Sequence, residues 1–350
     1  MVTGRKAGKT AKAMIHEPED LPAKSVSYIH GTWMKAAKFY LYWQKRAITM
    51  LFCMVMALFF YTSEVKDMLH TPAGDRWRKG LRRPDGSLSE RIRDPEVEKR
   101  FWRERIARGP IPLDSYAKKV FHALVQLTAG CDIQSVLEIG PGWGNYSFPL
   151  SRRFAKLSCV DVSPDNLSYL SERVAAEGRC IFTVCSAWED AQVEPHDMVF
   201  AYNCFYRLKE PELFLQKVND SAEKLCIIGM NRPPELPWLK DMEKAGLPIH
   251  YTRQGCDELL EILDEIGIEA QLVNIPNERI YRFASEEALL ARARQFLMEP
   301  CADTALLPLL LPHHEKQEDG SLICRYRFHS QLLVWKPKHE PNPALCRVGK

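Results

Sequence analysis

The sequence predicts an α/β fold built on an open, mostly parallel sheet. The first observation is the stretch LEIGPGWGNYS at 137–147, where an apolar, β-forming segment runs into a glycine-rich turn and then an amphipathic segment. The second is a series of short apolar segments further along the chain, several of which begin or end in an acidic residue. The composition, 46% hydrophobic and 27% charged over 350 residues, is that of an ordinary globular protein.

The glycine-rich turn discriminates between two classes of ligand. A strand, a tight loop and a helix N-terminus form the corner of an α/β sheet at which nucleotides bind. A dinucleotide requires G-x-G-x-x-G, but here Gly140, Gly142 and Gly144 alternate, and Asn145 occupies the place of the last glycine. Glu138 would repel a pyrophosphate and suits a cationic amino acid. The turn therefore favours S-adenosylmethionine over a dinucleotide.

The next strands carry acidic residues at the positions that a nucleoside would contact. The segment 157–161 ends in Asp161, 21 positions after Gly140, and a carboxylate at this strand tip can bind both ribose hydroxyls. The segment 181–185 leads into SAWED at 186–190, which would present Trp188 to an adenine face and an acid to the adenine amino group. Further strands are predicted at 197–202 and 224–230.

This order of segments resembles the class I S-adenosylmethionine-dependent methyltransferases. The resemblance covers roughly 116–275, with a closing strand near 328–336. It implies a Rossmann-like, seven-stranded sheet with a reversed C-terminal strand and S-adenosyl-L-methionine as cofactor. It also implies cofactor contacts for six residues, namely Glu138, Gly140, Gly142, Gly144, Asp161 and Asp190.

Several of these residues also have a structural interpretation. The glycines could simply serve a turn, and Trp188 could be an ordinary packing residue. Asp161 could cap the following helix, although Ser163, which stands before Pro164, suits that role better.

The N-terminal extension, 1–65, contains an uncharged apolar run at 47–61. Its 15 residues fall short of the roughly 20 that cross a bilayer. Three interpretations remain open. The run packs on the domain or on a second subunit, it anchors the chain shallowly at the inner face of a membrane, or the natural chain begins at a later methionine (Met54, Met56 or Met68).

A basic helical linker is predicted at 66–115, and the methyltransferase domain at 116–338. Acids alternate with the arginines of the linker, so a solvated helix with ion pairs is favoured over a patch for RNA or anionic lipid. The net charge of +3 is too mild to argue for nucleic acid. The eleven cysteines form no C-x-x-C pair, so no zinc or redox motif and no metal site is expected. Several cysteines lie in predicted strands as small buried residues (Cys159, Cys185 and Cys226), which predicts a reducing, cytoplasmic compartment.

The methyl acceptor is expected near Asn203, which follows the fourth strand. The prolines that DNA adenine methyltransferases carry there are missing, which argues against DNA as the acceptor. Insertions at 231–254 and 276–320 suggest lids over an apolar or aromatic acceptor, and His250 is a candidate general base. A tail follows at 339–350.

The sequence therefore predicts methyl transfer to an N, O or C atom of a small-molecule acceptor, apolar or lipid-like in character. Two alternatives stay open: an RNA or protein methyltransferase, supported by the arginine-rich segment, and a non-catalytic interaction module that keeps the cofactor fold. The oligomeric state is not indicated.

Overall fold

The structure, a computed structural model, describes residues 70–338 apart from Pro84, Pro110, Pro112, 233–235 and 251–253. The predictions for 1–65, including the apolar run at 47–61, and for the tail at 339–350 lie outside these described residues. No helix within the described residues is long and apolar enough to cross a membrane.

One mixed sheet lies at the centre of the fold. Its strands are β1 (Ser135–Ile139), β2 (Lys156–Asp161), β3 (Phe182–Cys185), β4 (His196–Tyr202), β5 (Ala222–Asn231), β6 (Gln271–Phe283), β7 (Glu315–Lys316) and β8 (Leu322–Trp335). Their order is β3-β2-β1-β4-β5-β8-β6, with β7 paired to β8. Strands β1 to β5 pair in parallel, whereas β8 is antiparallel to β5 and β6. The reversed C-terminal strand is confirmed, and the two-residue β7 is an addition to the seven strands expected.

Helices flank the sheet and precede it. They are α1 (Pro72–Gly80), α2 (Glu90–Arg93), α3 (Pro95–Ala107), α4 (Ala117–Leu127), α5 (Ser147–Arg153), α6 (Pro164–Ala175), α7 (Pro211–Asp220), α8 (Pro237–Lys244), α9 (Cys256–Glu265), α10 (Glu286–Arg294) and α11 (Asp303–Leu310). Helices α1, α3 and α6 begin alike, with a proline that follows a capping side chain. These caps are Thr71, Asp94 and Ser163, and each accepts a backbone N–H of the first turn.

The central strands are buried on both faces, as parallel strands covered by helices are. Val136 of β1 and Phe200 of β4 pack on one face with α4 and α5. Leu137 and Val199, one position away on the same strands, pack on the other face with α7 and α9. This alternation explains why the strands read as unbroken apolar runs in the sequence.

The first helix of the predicted linker is part of the core. Trp77 on α1 is 1% exposed, and its indole N–H donates to the Leu208 carbonyl at 2.8 Å. The backbone N–H of Thr71 donates to Glu212 of α7 at 3.0 Å, and Arg78 donates to the same carboxylate at 2.8 Å. Residues from 71 onward are therefore packed against the sheet domain.

The two predicted insertions contribute to a third hydrophobic core. Trp238 of α8, Leu289 of α10 and Leu306 of α11 pack there against Leu322 and Tyr326 of β8. The structure differs from the expected boundaries in one respect. Part of the predicted insertion at 276–320 belongs to β6, which pairs with β8 as far as Phe283.

Candidate functional site

A cavity of about 470 Å³ lies at the carboxyl ends of β1, β2 and β4. In an open α/β sheet this is the edge at which ligands bind. The volume is within the usual range of about 300–1,000 Å³ for small-molecule sites. Five of the predicted positions on these strands and the loops after them line it, namely Glu138, Gly140, Gly142, Asp161 and Asn203.

The glycine-rich loop forms one wall of the cavity. Gly140 has a φ of 63° and Gly142 a φ of 56°, a left-handed conformation that L side chains rarely adopt. A Cβ at Gly140 would lie 2.6 Å from the Cβ of Cys204. A Cβ at Gly142 would lie 3.4 Å from the Trp102 ring. The positive φ therefore favours glycine at both positions, and at Gly140 the close approach of Cys204 also leaves no room for a Cβ.

The third glycine serves packing. Gly144 also has a positive φ, 90°, but it does not line the cavity. A Cβ there would lie 2.6 Å from side-chain atoms of Leu170 and Phe148. Gly144 thus permits the loop to pack against helices α5 and α6.

Glu138 is a buried carboxyl group at the cavity wall. The residue is 2% exposed, and its carboxyl group accepts a 2.6 Å hydrogen bond from the Ser147 hydroxyl. Burial raises the pKa of Glu138 to about 7, although the bond from Ser147 acts in the opposite direction. A cation bound beside this group would favour its ionised form.

Asp161, at the end of β2, is a second buried carboxyl group in the lining. Burial raises its pKa to about 6, opposed by the backbone N–H of Ser163 and by the Asn166 amide. The Ser163 N–H lies 2.8 Å from Oδ1. Ser163 itself caps helix α6, so the helix cap and the cavity carboxylate are different residues, as the sequence suggests.

The turn after β3 brings Trp188 to the cavity. Trp188 is 5% exposed and lines the cavity, and its ring packs against Phe214 with centroids 6.1 Å apart. Asp190 is exposed and does not line the cavity, whereas its neighbour Glu189 does. The turn therefore borders the cavity through Trp188 and Glu189, whereas the predicted Asp190 lies outside the lining.

Asn203 belongs to a hydrogen-bonded group of cavity residues. It has a φ of 55°, in the left-handed region, and its Oδ1 accepts the backbone N–H of Asn231 at 2.9 Å. Its Nδ2 donates to the Tyr116 hydroxyl at 3.1 Å, which in turn donates to Asp114 at 2.7 Å. Asn145 donates to the same Asp114 oxygen at 2.6 Å. Asn203 is therefore held rigidly at the carboxyl end of β4.

Helices α2 and α3 supply a wall that sequence reasoning did not assign to the site. Arg91, Glu98, Phe101 and Trp102 line the same cavity as the glycine loop. Trp102 packs against Trp143 of that loop with ring centroids 5.7 Å apart. One feature of the sequence could have indicated this wall, namely the aromatic pair at 101–102 in a segment that is otherwise rich in charged residues.

The predicted insertions are not at this cavity. None of their described residues lines it, and His250 is likewise absent from the lining. The backbone N–H of His250 donates to the Phe296 carbonyl at 2.7 Å, between the two insertions. Within the described residues no group of three His, Cys, Asp or Glu side chains is placed to hold a metal ion.

Comparison with known proteins identifies the central part of the chain. The family model described as a methyltransferase domain matches residues 136–223. These residues run from β1 to the start of β5 and include the glycine loop, Asp161 and Asn203. No curated protein matches the sequence.

Solved structures with a similar arrangement include three that span most of this fold. Magnesium protoporphyrin IX methyltransferase from Synechocystis, with bound SAH, is 14% identical, covers 79% of this chain and 100% of its own, and has a TM-score of 0.39. The YcgJ protein from Bacillus subtilis is 12% identical, with 63% and 100% coverage and a TM-score of 0.41. The N-methyltransferase NodS from Bradyrhizobium japonicum, in complex with S-adenosyl-L-homocysteine, is 13% identical, with 74% and 99% coverage and a TM-score of 0.35.

Proposed function

We propose that this chain, whose residues 136–223 match the family model of a methyltransferase domain, is a class I methyltransferase. Its cavity binds S-adenosyl-L-methionine, and the enzyme methylates an N, O or C atom of a small-molecule acceptor. The observation that carries the proposal is the pair of buried carboxyl groups, Glu138 and Asp161, on a cavity walled by left-handed glycines.

The cavity fits the cofactor in charge and shape. A ligand with an ammonium group, a sulfonium and a ribose offers cations and hydroxyls to Glu138 and Asp161, which a pyrophosphate does not. The backbone at Gly140 and Gly142 lines the cavity without a Cβ, so a ligand can approach the chain closely there.

The residues predicted from the sequence each have a proposed role. Glu138 attracts the cationic amino acid portion, and Asp161 accepts hydrogen bonds from the ribose hydroxyls. Trp188 contacts the adenine face, with the acid of the same turn, Glu189 in the lining or the adjacent Asp190, near the amino group. Gly144 supports the loop by packing.

The chain's contribution to the reaction is alignment. In the transfer, an electron pair of the acceptor atom forms a bond to the methyl carbon as the carbon–sulfur bond breaks, sulfur keeps that pair, and any proton leaves the acceptor to a base or solvent. Asn203, fixed by Asn231 and Tyr116, is placed to orient the acceptor. Well-oriented reactants lose much of the entropic part of the barrier in advance. Asp114 is a carboxylate of the lining that could receive a proton, whereas His250 lies elsewhere.

A small acceptor is favoured over RNA because several of the ten arginines of 76–108 are engaged by acids within the protein. Arg91 pairs with Glu98, Arg78 with Glu212, and Arg103 with Asp165. An RNA-binding surface needs cations that are free to meet phosphates. The aromatic wall formed by Phe101 and Trp102 instead suits a compact acceptor.

We also propose a cytoplasmic location for the enzyme. All nine cysteines within the described residues are free, as in proteins kept in a reducing compartment.

Calorimetry with S-adenosyl-L-homocysteine, S-adenosyl-L-methionine and NAD tests the cofactor assignment. We expect both adenosyl ligands to bind and NAD not to bind. Asp161→Ala should weaken their binding by roughly 1–3 kcal/mol, the cost of leaving buried polar groups unpaired. Ser163→Ala is the matched control, since it removes the helix cap but keeps the backbone N–H that Asp161 accepts. It should lower the free energy of unfolding by about 1 kcal/mol without changing affinity. Tight NAD binding without adenosyl binding would falsify the proposal.

A further inference from the structure

The part of the cavity beside α2 and α3 has a chemistry of its own. Phe101 and Trp102 of α3, Trp143 of the glycine loop and Tyr206 of the loop after β4 bring four aromatic rings to the lining. Flat, polarisable surfaces of this kind suit a planar, unsaturated ligand. Tyr206 and its neighbour Arg207 follow Asn203 by only a few residues, so this wall adjoins the proposed acceptor position.

Two guanidinium groups share one carboxylate in this wall. Arg91 donates to both oxygens of Glu98, at 2.6 and 2.7 Å, and its guanidinium carbon lies 3.6 Å from the Phe101 ring centroid. Arg207 donates to Glu98 through Nη1 alone, at 2.9 Å. The three side chains together carry one positive charge.

Arg207 is a cation of this wall whose guanidinium group keeps unpaired N–H donors. Within the described residues its Nε and Nη2 have no hydrogen-bond partner, and Nη1–Glu98 is its one bond. Its side chain is 24% exposed, and its guanidinium carbon lies 4.7 Å from the Tyr206 ring centroid. Two adjacent N–H donors on a planar group match the two oxygens of a carboxylate.

We propose that the methyl acceptor is a planar, aromatic anion whose carboxylate is bound by Arg207 while its ring stacks among Trp102, Trp143 and Tyr206. The proposal rests on the methyltransferase function given above and specifies its acceptor. The other acidic groups of the lining, which are Asp114, Glu138, Asp161 and Glu189, repel such an anion and so orient it with its charge toward Arg207. Arg207 is then a specificity-determining residue, and Glu98 sets how much of its charge is available.

A matched pair of probes tests the charge requirement. Naphthalene-2-carboxylate and its neutral amide have nearly the same shape, and their affinities can be measured by calorimetry on the full chain saturated with S-adenosyl-L-homocysteine. We expect the carboxylate to bind about tenfold more tightly than the amide, as a charge-assisted bidentate contact provides. In Arg207→Gln the two affinities should become about equal.

Glu98→Gln separates this role from a merely structural one. If the only role of Arg207 is its ion pair with Glu98, which links α3 to the loop after β4, then Arg207→Gln and Glu98→Gln both remove that ion pair. The two variants should then change probe binding in the same direction. If Arg207 binds the anion, Glu98→Gln frees its donors and strengthens carboxylate binding, while Arg207→Gln weakens it. Opposite effects support the proposal, and like effects, or equal probe affinities in the unaltered protein, overturn it. Failure of both probes to bind also overturns it.

Methyl transfer from labelled cofactor to a cell metabolite extract tests the acceptor class directly. The extract is first divided on an anion-exchange column, and we expect labelled product from the retained fraction. Product only from the unretained fraction would overturn the anionic acceptor and leave the methyltransferase function intact. Absence of cofactor binding would overturn the proposed function, and this inference with it.

Discussion

The hydroxyl of Ser147, at the start of α5, donates a 2.6 Å hydrogen bond to Oε2 of Glu138 on β1. The two residues lie on either side of the glycine loop, so the bond links the strand to the helix across the turn. Burial raises the pKa of Glu138 to about 7 in spite of this bond. Burial therefore favours the protonated form of the carboxyl group in the ligand-free protein, and a cationic ligand must compete with the proton.

This competition predicts a pH-dependent cofactor affinity. Binding of a cation favours the carboxylate, so affinity should be constant well above pH 7 and should fall below it, by at most about tenfold per pH unit for one proton. Calorimetric titration with S-adenosyl-L-homocysteine between pH 5.5 and 8.5, values chosen to bracket about 7, measures the trend. The folding stability of the ligand-free protein depends on pH in the opposite direction from the cofactor affinity. A pKa raised from 4.5 contributes stability at low pH that is lost as pH rises through about 7.

Two variants identify Glu138 as the group responsible. Glu138→Gln should weaken binding and remove the pH dependence near 7. Ser147→Ala should move the midpoint to higher pH, because the lost hydrogen bond favours the carboxylate. An affinity that stays flat across the range in the unaltered protein would show that Glu138 does not sense the ligand's charge.

The contact between Gly140 and Cys204 predicts a substitution with a specific rescue. Gly140→Ala places a Cβ 2.6 Å from the Cys204 Cβ at a φ of 63°, and we expect a loss of about 1–3 kcal/mol from backbone strain alone, with a further loss from the clash. Cys204→Gly removes the opposing atom. In the double variant, the free energy of unfolding should therefore regain the part lost to the clash, but not the part lost to backbone strain. Urea unfolding measures both losses. Additive losses would show that the two residues do not collide.

The local parts of the site could be predicted from the sequence. The apolar segment before Gly140 and the acid at the end of the next segment are signals within a few residues of each other, because a strand, its turn and its following helix are contiguous in the chain. The Ser163–Pro164 pair likewise marked the helix cap that the structure shows. These features need no knowledge of how distant segments meet.

The wall formed by α3 could not be predicted in this way. Trp102 and Gly142 are in contact although they lie 40 positions apart in the chain. No local sequence pattern predicts a contact between such distant residues. The helix reads as solvated because its arginines alternate with acids, although Glu98 is in fact an acceptor for both Arg91 and Arg207. The extended β6 was missed for a different reason, since Pro276 argues against a strand interior but is tolerated in β6, at the end of the sheet order.

Tyr146 predicts a substitution that stabilises the fold. Its hydroxyl is buried and has no hydrogen-bond partner among the described residues, and its ring packs against Phe200 with centroids 5.1 Å apart. Tyr146→Phe keeps the packing and removes the unpaired group, so we expect the free energy of unfolding to rise by about 1 kcal/mol. Tyr202→Phe is the control, because the Tyr202 hydroxyl donates to Asn231 at 2.7 Å and its loss should cost about 1 kcal/mol. Denaturant unfolding of both variants tests the pair. Equal destabilisation would mean that Tyr146 does have a polar partner in solution.

Two shortened chains test where the cofactor-binding part of the protein begins. A chain that starts at Met68 keeps Thr71, whose N–H is bonded to Glu212, and it should bind S-adenosyl-L-homocysteine with unchanged affinity. A chain that starts at Leu113 loses α1 to α3. Removing the buried Trp77 alone should cost about 3–5 kcal/mol, and removing Trp102 and Glu98 opens one wall of the cavity.

The two causes of failure in the shorter chain can be separated with a point variant. Trp102→Ala keeps α1 and its core contacts but removes the ring against Gly142, so it should weaken cofactor or probe binding with little loss of stability. Calorimetry and thermal unfolding of the three proteins, side by side with the full chain, measure both quantities. If the chain from Met68 binds poorly, residues before it take part in the site. If instead the chain from Leu113 folds and binds as tightly as the full chain, α3 is a surface helix and the wall has no role in binding.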